Sequence, residues 1–147
     1  QGDGSKNTDY YAYGKKVLAA KNGVVVYVKS GVAENVPGET SNTNPPDGNL
    51  VVIDHGGNQY GYYGRLKKDS ISVNVGARVR AGDPIGEVGN SGDSPEPQLH
   101  FHVMNNADVA QADGIPVIFE NWKARSYSRL PVLRSQGIPA RGEFVQP

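Results

Sequence analysis

Ser70-Ile71-Ser72-Val73-Asn74-Val75-Gly76-Ala77-Arg78-Val79-Arg80-Ala81-Gly82-Asp83-Pro84-Ile85-Gly86 decides how this chain folds. Short β-branched runs alternate with glycine at close, regular spacing. β-Branched side chains suit extended backbone, and glycine supplies the positive φ that tight turns require. The segment therefore predicts very short strands joined by tight turns.

The same signals continue upstream. Gln59 to Leu66 alternates, with Tyr60, Tyr62, Gly64 and Leu66 on one face and Gln59, Gly61, Tyr63 and Arg65 on the other. Asn49 to His55 is an apolar strand closed by the turn His55-Gly56-Gly57-Asn58. Val17 to Ala20 and Gly23 to Val28 read as two strands about an Asn22-Gly23 turn, and the second is continuous enough to predict burial on both faces. Residues 30–48 form a long loop rich in Gly, Pro, Asn and Ser, either functional or a tolerated insertion. Residues 1–14 are polar and irregular, ending in Tyr10-Tyr11-Ala12-Tyr13-Gly14.

Downstream, Gly89 to Ser94 reads as a flexible loop feeding the strand Gln98-Leu99-His100-Phe101-His102-Val103. Alternation puts Gln98, His100 and His102 on one face and Leu99, Phe101 and Val103 on the other, an apolar back to a polar front. Ala107 to Gly114 predicts a short helix. The irregular tail predicts one or two short strands and a turn at Pro139-Ala140-Arg141-Gly142-Glu143. No long amphipathic helix is legible. The sequence predicts one all-β domain of about ten short strands spanning residues 1–147, with a core at 14–103 and a C-terminal extension at 104–147.

Composition narrows the function. The 147 residues allow one well-buried domain, and the 19 glycines and 10 prolines suit a turn-rich protein. Lys plus Arg equals Asp plus Glu, 15 each, so no net charge draws the chain to nucleic acid or an anionic membrane. No run of about 18 apolar residues predicts a membrane span. Cysteine is absent, which removes disulfides, thiolate nucleophiles and Cys-based zinc sites.

Val73 to Val88, as V-x-x-G-x-x-V-x-x-G-x-x-I-G, resembles the hammerhead segment of barrel-sandwich hybrid folds. Biotinyl and lipoyl carriers, glucose-specific phosphotransfer domains and lysostaphin/LytM-type zinc endopeptidases share it. Three further segments point to the last of these. GKKVLAAKNGVVVYV resembles the endopeptidases' opening strand pair, NLVVIDHGGNQYGYYGRL their V-x-I-x-H-G…Y-x-H-L segment, and GEVGNSGDSPEPQLHFHV their I-G-x-x-G-x-S-G…H-L-H-F segment. The three stand in the family's order. The resemblance implies an antiparallel barrel-sandwich hybrid, secreted or in the bacterial cell envelope, such as the periplasm. It implies peptidoglycan peptide or a cell-envelope protein as partner.

The resemblance also implies roles, position by position. His100 falls on the family's zinc-binding histidine. Gln98 and Arg65 fall where the family carries its two catalytic histidines. The other two zinc ligands come from an H-x-x-x-D; Asp9 is the candidate aspartate, which leaves Ser5 at the histidine position. Alternatively, that pair belongs to sequence upstream of Gln1. Glutamine does not exchange protons at neutral pH and arginine stays protonated, so neither Gln98 nor Arg65 can be a general base. The zinc site expected here is incomplete. The expectation is a catalytically degenerate domain that binds through a groove around His100, Tyr63, Arg65, Gln98 and His102. The alternative is an active zinc endopeptidase with ligands supplied from upstream. A carrier role fits poorly, because no lysine lies between Lys68 and Lys123 to crown a hairpin.

Overall fold

The computed structural model describes residues 2–39, 46–125, 132–139 and 144–146. It resolves into two compact units, Gln1–Ile115 and Pro116–Pro147. The first holds β1 (Lys16–Leu18), β2 (Gly23–Lys29), β3 (Asn49–Asp54), β4 (Tyr60–Leu66), β5 (Arg78–Val79), β6 (Pro84–Glu87), β7 (His100–Met104) and β8 (Gly114–Ile115). The second holds β9 (Phe119–Arg125), β10 (Val132–Gly137) and β11 (Phe144–Gln146), antiparallel in the order β10-β9-β11. Three strands thus stand where the sequence suggested one or two. The turn expected at Pro139 to Glu143 and the middle of the 30–48 loop fall largely outside the described residues.

In the first unit a six-stranded antiparallel sheet runs β5-β2-β3-β4-β7-β8, and β1 pairs separately with β6. The all-β, antiparallel expectation is borne out. The glycine-punctuated segment folds as read. Gly76 and Gly82, at φ 89° and 88°, turn the chain on either side of the two-residue strand β5. Backbone bonds from Ala77 N to Asn74 O (3.0 Å) and from Asp83 N to Arg80 O (3.0 Å) close the two turns.

The apolar residues of this segment are the reason it packs. Val79, Ile85 and Val88 join Val17, Ala19, Val25, Val51, Ile53, Tyr63 and Leu66 in one buried cluster between the sheet and the β1–β6 pair. A smaller cluster on the sheet's other face holds Leu50, Val52, Tyr62 and Met104. Each large apolar side chain so buried contributes about 1.5–3 kcal/mol, so the first cluster carries most of the fold's stability.

Three sequence expectations need correcting. The strand buried on both faces is β3, whose Leu50 and Val52 enter one cluster while Val51 and Ile53 enter the other. In β2 only Val25 is fully buried, and Tyr27 is 46% exposed. β2 also does not pair with β1; its neighbours are β3 and β5. The helix expected over Ala107 to Gly114 is a single 3-10 turn, Val109–Gln111. Asp108 caps it at Ala110 N (3.0 Å), and the pairing of Asn105 with Asp113 then draws the chain into β8.

Candidate functional site

β7 lies beside β4 with His100 opposite Gly64, Phe101 opposite Tyr63 and His102 opposite Tyr62. The pleat sends Phe101 and Tyr63 into the larger cluster, their rings 5.0 Å apart. His100, His102 and Tyr62 face the other way. The Tyr62 ring stacks under His102 at 4.4 Å and 18° and meets His100 edge-on at 5.4 Å. Gly64 makes this possible, since a β-carbon there would stand 2.6 Å from Tyr62 Cε1. Tyr62 is 2% exposed, and its hydroxyl donates to Asp47 Oδ1 at 2.8 Å.

The two imidazoles meet, with His102 Nδ1 3.3 Å from His100 Nε2. Burial holds both below the ordinary histidine value, helped for His100 by the Arg65 charge and for His102 by His100 itself. The Asp47 carboxylate opposes both shifts. Burial, then the hydrogen bond and charge of Asp47, push the Tyr62 hydroxyl well above its usual range. A neutral histidine pair over a neutral phenol is the resulting state at neutral pH.

Arg65 sits at φ 63°, a left-handed conformation that costs a non-glycine residue about 1–2 kcal/mol. This one residue changes the phase of β4. Tyr63 and Leu66, three apart, both reach the larger cluster, which strict alternation forbids. The surrounding loops hold the conformation. Arg65 N donates to Asp47 O (3.2 Å), Gly89 N donates to Arg65 O (3.2 Å), and the guanidinium donates to the Asp93 carbonyl.

The Gly89–Ser94 loop, which the sequence presents as flexible, is laced in place by buried polar groups. Ser91 Oγ donates to Leu66 O (2.7 Å) and accepts from Asn49 N (3.0 Å). Asn35 Nδ2 donates to Gly92 O (2.6 Å) and Ser94 O (3.0 Å), and Asn90 N donates to Glu34 Oε1 (3.0 Å). Gly48 and Gly92, at φ 67° and 77°, let the two loops approach backbone to backbone; a β-carbon on Gly92 would stand 2.4 Å from Gly48 N.

The residues singled out in the sequence are only partly brought together. His100, His102 and Arg65 share one neighbourhood. Gln98 precedes the strand, its Nε2 donating to Ser94 Oγ (3.3 Å) and its backbone N to Gly89 O (3.2 Å). Asp9 sits in the 3-10 turn Asn7–Asp9, where its Oδ2 accepts from Lys6 N (3.1 Å). Tyr63, expected in the groove, is a core residue at 1% exposure whose hydroxyl accepts from Ala20 N (2.8 Å). Tyr62 takes its place beside the histidines, because β4 pairs Tyr62 directly with His102. Asp47 is a site residue that the sequence reading missed. Its signal is Asp47-Gly48 after two prolines, a turn that delivers a carboxylate to the end of β4.

A catalytic zinc ion needs three protein ligands and a water. Among the described residues no three His, Cys, Asp or Glu side chains form a group able to hold a metal ion. The donors present therefore do not fit that ligand set.

Parts of this sequence are similar to two bacterial proteins, and the fold is similar to solved structures. The murein hydrolase activator EnvC of Escherichia coli (strain K12) is 43% identical over 62 residues, 42% of this chain and 14% of that protein. The cell division protein DipM of Caulobacter vibrioides is 31% identical over 104 residues, 71% of this chain and 15% of that protein. The chain thus spans about one-seventh of the length of either relative. Among solved structures, the catalytic domain of the antimicrobial peptidase lysostaphin from Staphylococcus simulans superposes with a TM-score of 0.52 at 26% identity, covering 71% of this chain and 70% of that one. The profile of Peptidase family M23 matches residues 4–113, well over half of the sequence, and this chain belongs to that family.

Proposed function

We propose that this chain is a non-hydrolytic M23 domain of the cell envelope. It binds a cell-wall peptide or a partner protein through the face that carries His100, His102 and Arg65. The observation that carries this reading is the state of Arg65 and Gln98. The resemblance of the sequence puts them where the family carries its catalytic histidines, and their polar ends are engaged by the Asp93 carbonyl and Ser94 Oγ. Neither supplies a base, and the histidine pair has no third donor from the described residues to complete a zinc site. The names of two relatives, an activator of murein hydrolases and a cell division protein, agree with a binding role in the envelope.

The test is direct. Zinc-supplemented protein is incubated with purified peptidoglycan and with glycine-rich cross-bridge peptides, and product release is measured alongside co-sedimentation. Binding without cleavage is expected, weakened by Arg65→Ala. Turnover abolished by a chelator would overturn the reading. It would favour an active endopeptidase instead.

A further inference from the structure

Arg65 combines a strained backbone with a charge that the fold leaves unmatched. Its φ of 63° is held by the loops around it, and backbone strain in a non-glycine residue persists only where the surrounding structure imposes it. Asp47 and Asp93 both bind Arg65, yet through their backbone carbonyls. The Asp47 carboxylate is turned away to accept from the Tyr62 hydroxyl at 2.8 Å. Among the described residues the one ion pair joins Lys67 to Glu87, so no carboxylate of the fold neutralises Arg65. We infer that the ligand supplies it: the peptide bound at this face carries an isolated carboxylate that pairs with the Arg65 guanidinium. The inference rests on the binding role proposed above and names the chemistry of its ligand.

The guanidinium is placed for this. Its charge acts on His100 and on the Tyr62 hydroxyl, which puts it within reach of the face those rings form. Arg65 is half-buried and its neighbour His100 exposed, so a ligand can approach while the pair it makes is partly shielded from water. The Asp93 carbonyl engages Nη1 and fixes the plane of the group. A guanidinium carries five N–H donors in a rigid fork, and the two coplanar oxygens of a carboxylate match that fork in a bidentate pair.

The surrounding charges limit the ligand to a lone carboxylate. Lys67, two residues on, is already paired with Glu87 at 2.6 Å. The Asp47 carboxylate acts on both histidine rings and repels a second negative charge brought to the same face. An acidic protein segment would meet one free cation and one anion here, whereas a cell-wall peptide with a single carboxylate meets its match. Glycine separates the two roles that Arg65 can have. It adopts φ 63° without the cost borne by arginine, so Arg65→Gly relieves the backbone and removes the cation together.

The experiment co-sediments the full chain with purified peptidoglycan and with peptidoglycan whose carboxyl groups have been converted to amides by carbodiimide and ammonium chloride. Amidation is expected to weaken binding at least about tenfold, the loss that follows from removing a charge-assisted pair. Arg65→Gly is expected to bind native and amidated material equally weakly, with a melting temperature within about 3 °C of the parent's or above it. Arg78→Gln, at an exposed arginine of β5, keeps native binding within about twofold of the parent's. Equal affinity of the parent for both materials would overturn the inference and leave the binding role standing. So would a lower melting temperature in Arg65→Gly with binding unchanged, which would assign Arg65 to structure alone. A tenfold loss in Arg78→Gln would replace the specific pair by general charge attraction, and failure to sediment with native peptidoglycan would remove the ligand altogether; either result overturns the inference. Product release from native peptidoglycan would overturn the binding role alone, because the carboxylate preference is read from sedimentation.

Discussion

Single polar atoms decide much of this structure. The buried Asn49 N–H donates to Ser91 Oγ, whereas Leu66 O accepts from both Ser91 Oγ and Asn49 Nδ2 (2.9 Å). Ser91→Ala therefore orphans one donor and not the acceptor. The expected loss is about 1–3 kcal/mol, read as a lower urea midpoint at unchanged slope. Tyr13 offers a second case. Its hydroxyl donates to Glu34 Oε2 at 2.6 Å, and burial together with Glu34 and Glu87 pushes its ionisation up to about 12. Because the folded value is raised, the associated stability is fully present below about pH 10, the unfolded value, and is lost as pH rises through 12. Ultraviolet titration should find Tyr13 among the phenols that ionise late, together with Tyr62 and Tyr63, and Glu34→Gln should move one of these transitions down. A titration unaltered by that change would disprove the assignment.

At the scale of elements, β4 shows what sequence can and cannot convey. The alternation of Gln59 to Leu66 announces a strand, and the turn glycines of 70–86 announce the short strands after it. The sequence has no mark for the left-handed Arg65, because arginine takes that conformation only where tertiary contacts impose it. Alternation alone therefore misplaces Tyr63 and Leu66 on opposite faces, and with them the identity of the tyrosine beside the histidines. Burial in β2 is illegible for a related reason. Val24 to Val28 is apolar throughout, but which strand lies centrally depends on pairing order, and that place goes to β3. His100 is legible because H-x-H in a strand forces two side chains to one face. Their proximity across 3.3 Å is not legible, since it depends on the Tyr62 ring beneath them. Gly64 is the pivot of that arrangement. Gly64→Ala would drive a methyl group into Tyr62 Cε1, costing about 1–3 kcal/mol. The expected readout is a lower melting temperature with an altered near-ultraviolet circular dichroism signal; a spectrum and melt like the parent's would mean that the ring can yield.

For the whole molecule, the division into two units has an energetic basis. Every residue of both hydrophobic clusters, with the partly buried side chains packed on them, lies between Val17 and Ala112. In the second unit Ile118, Val132, Leu133 and Ile138 are each more than half exposed. A chain ending at Ile115 is accordingly expected to unfold in one cooperative transition with the parent's midpoint, measured by calorimetry. A broadened or strongly lowered transition would assign part of the core's stability to residues beyond it.

The lacing of the Gly89–Ser94 loop also bears on the order in which the molecule assembles. Its ties to Glu34 and Asn35 join residues 56 and 57 positions apart. Closing a loop of that length costs about 1.5 kcal/mol more than closing one of ten residues. The β3–β4 hairpin needs only the short turn after Asp54 and can form first, whereas the loop beside the histidines waits for distant chain to arrive. The part of the protein that would meet a ligand is then among the last to be built on each folding event. A ligand spanning that loop and the sheet would favour the assembled arrangement, slowing unfolding through contacts formed after the folding transition state has passed.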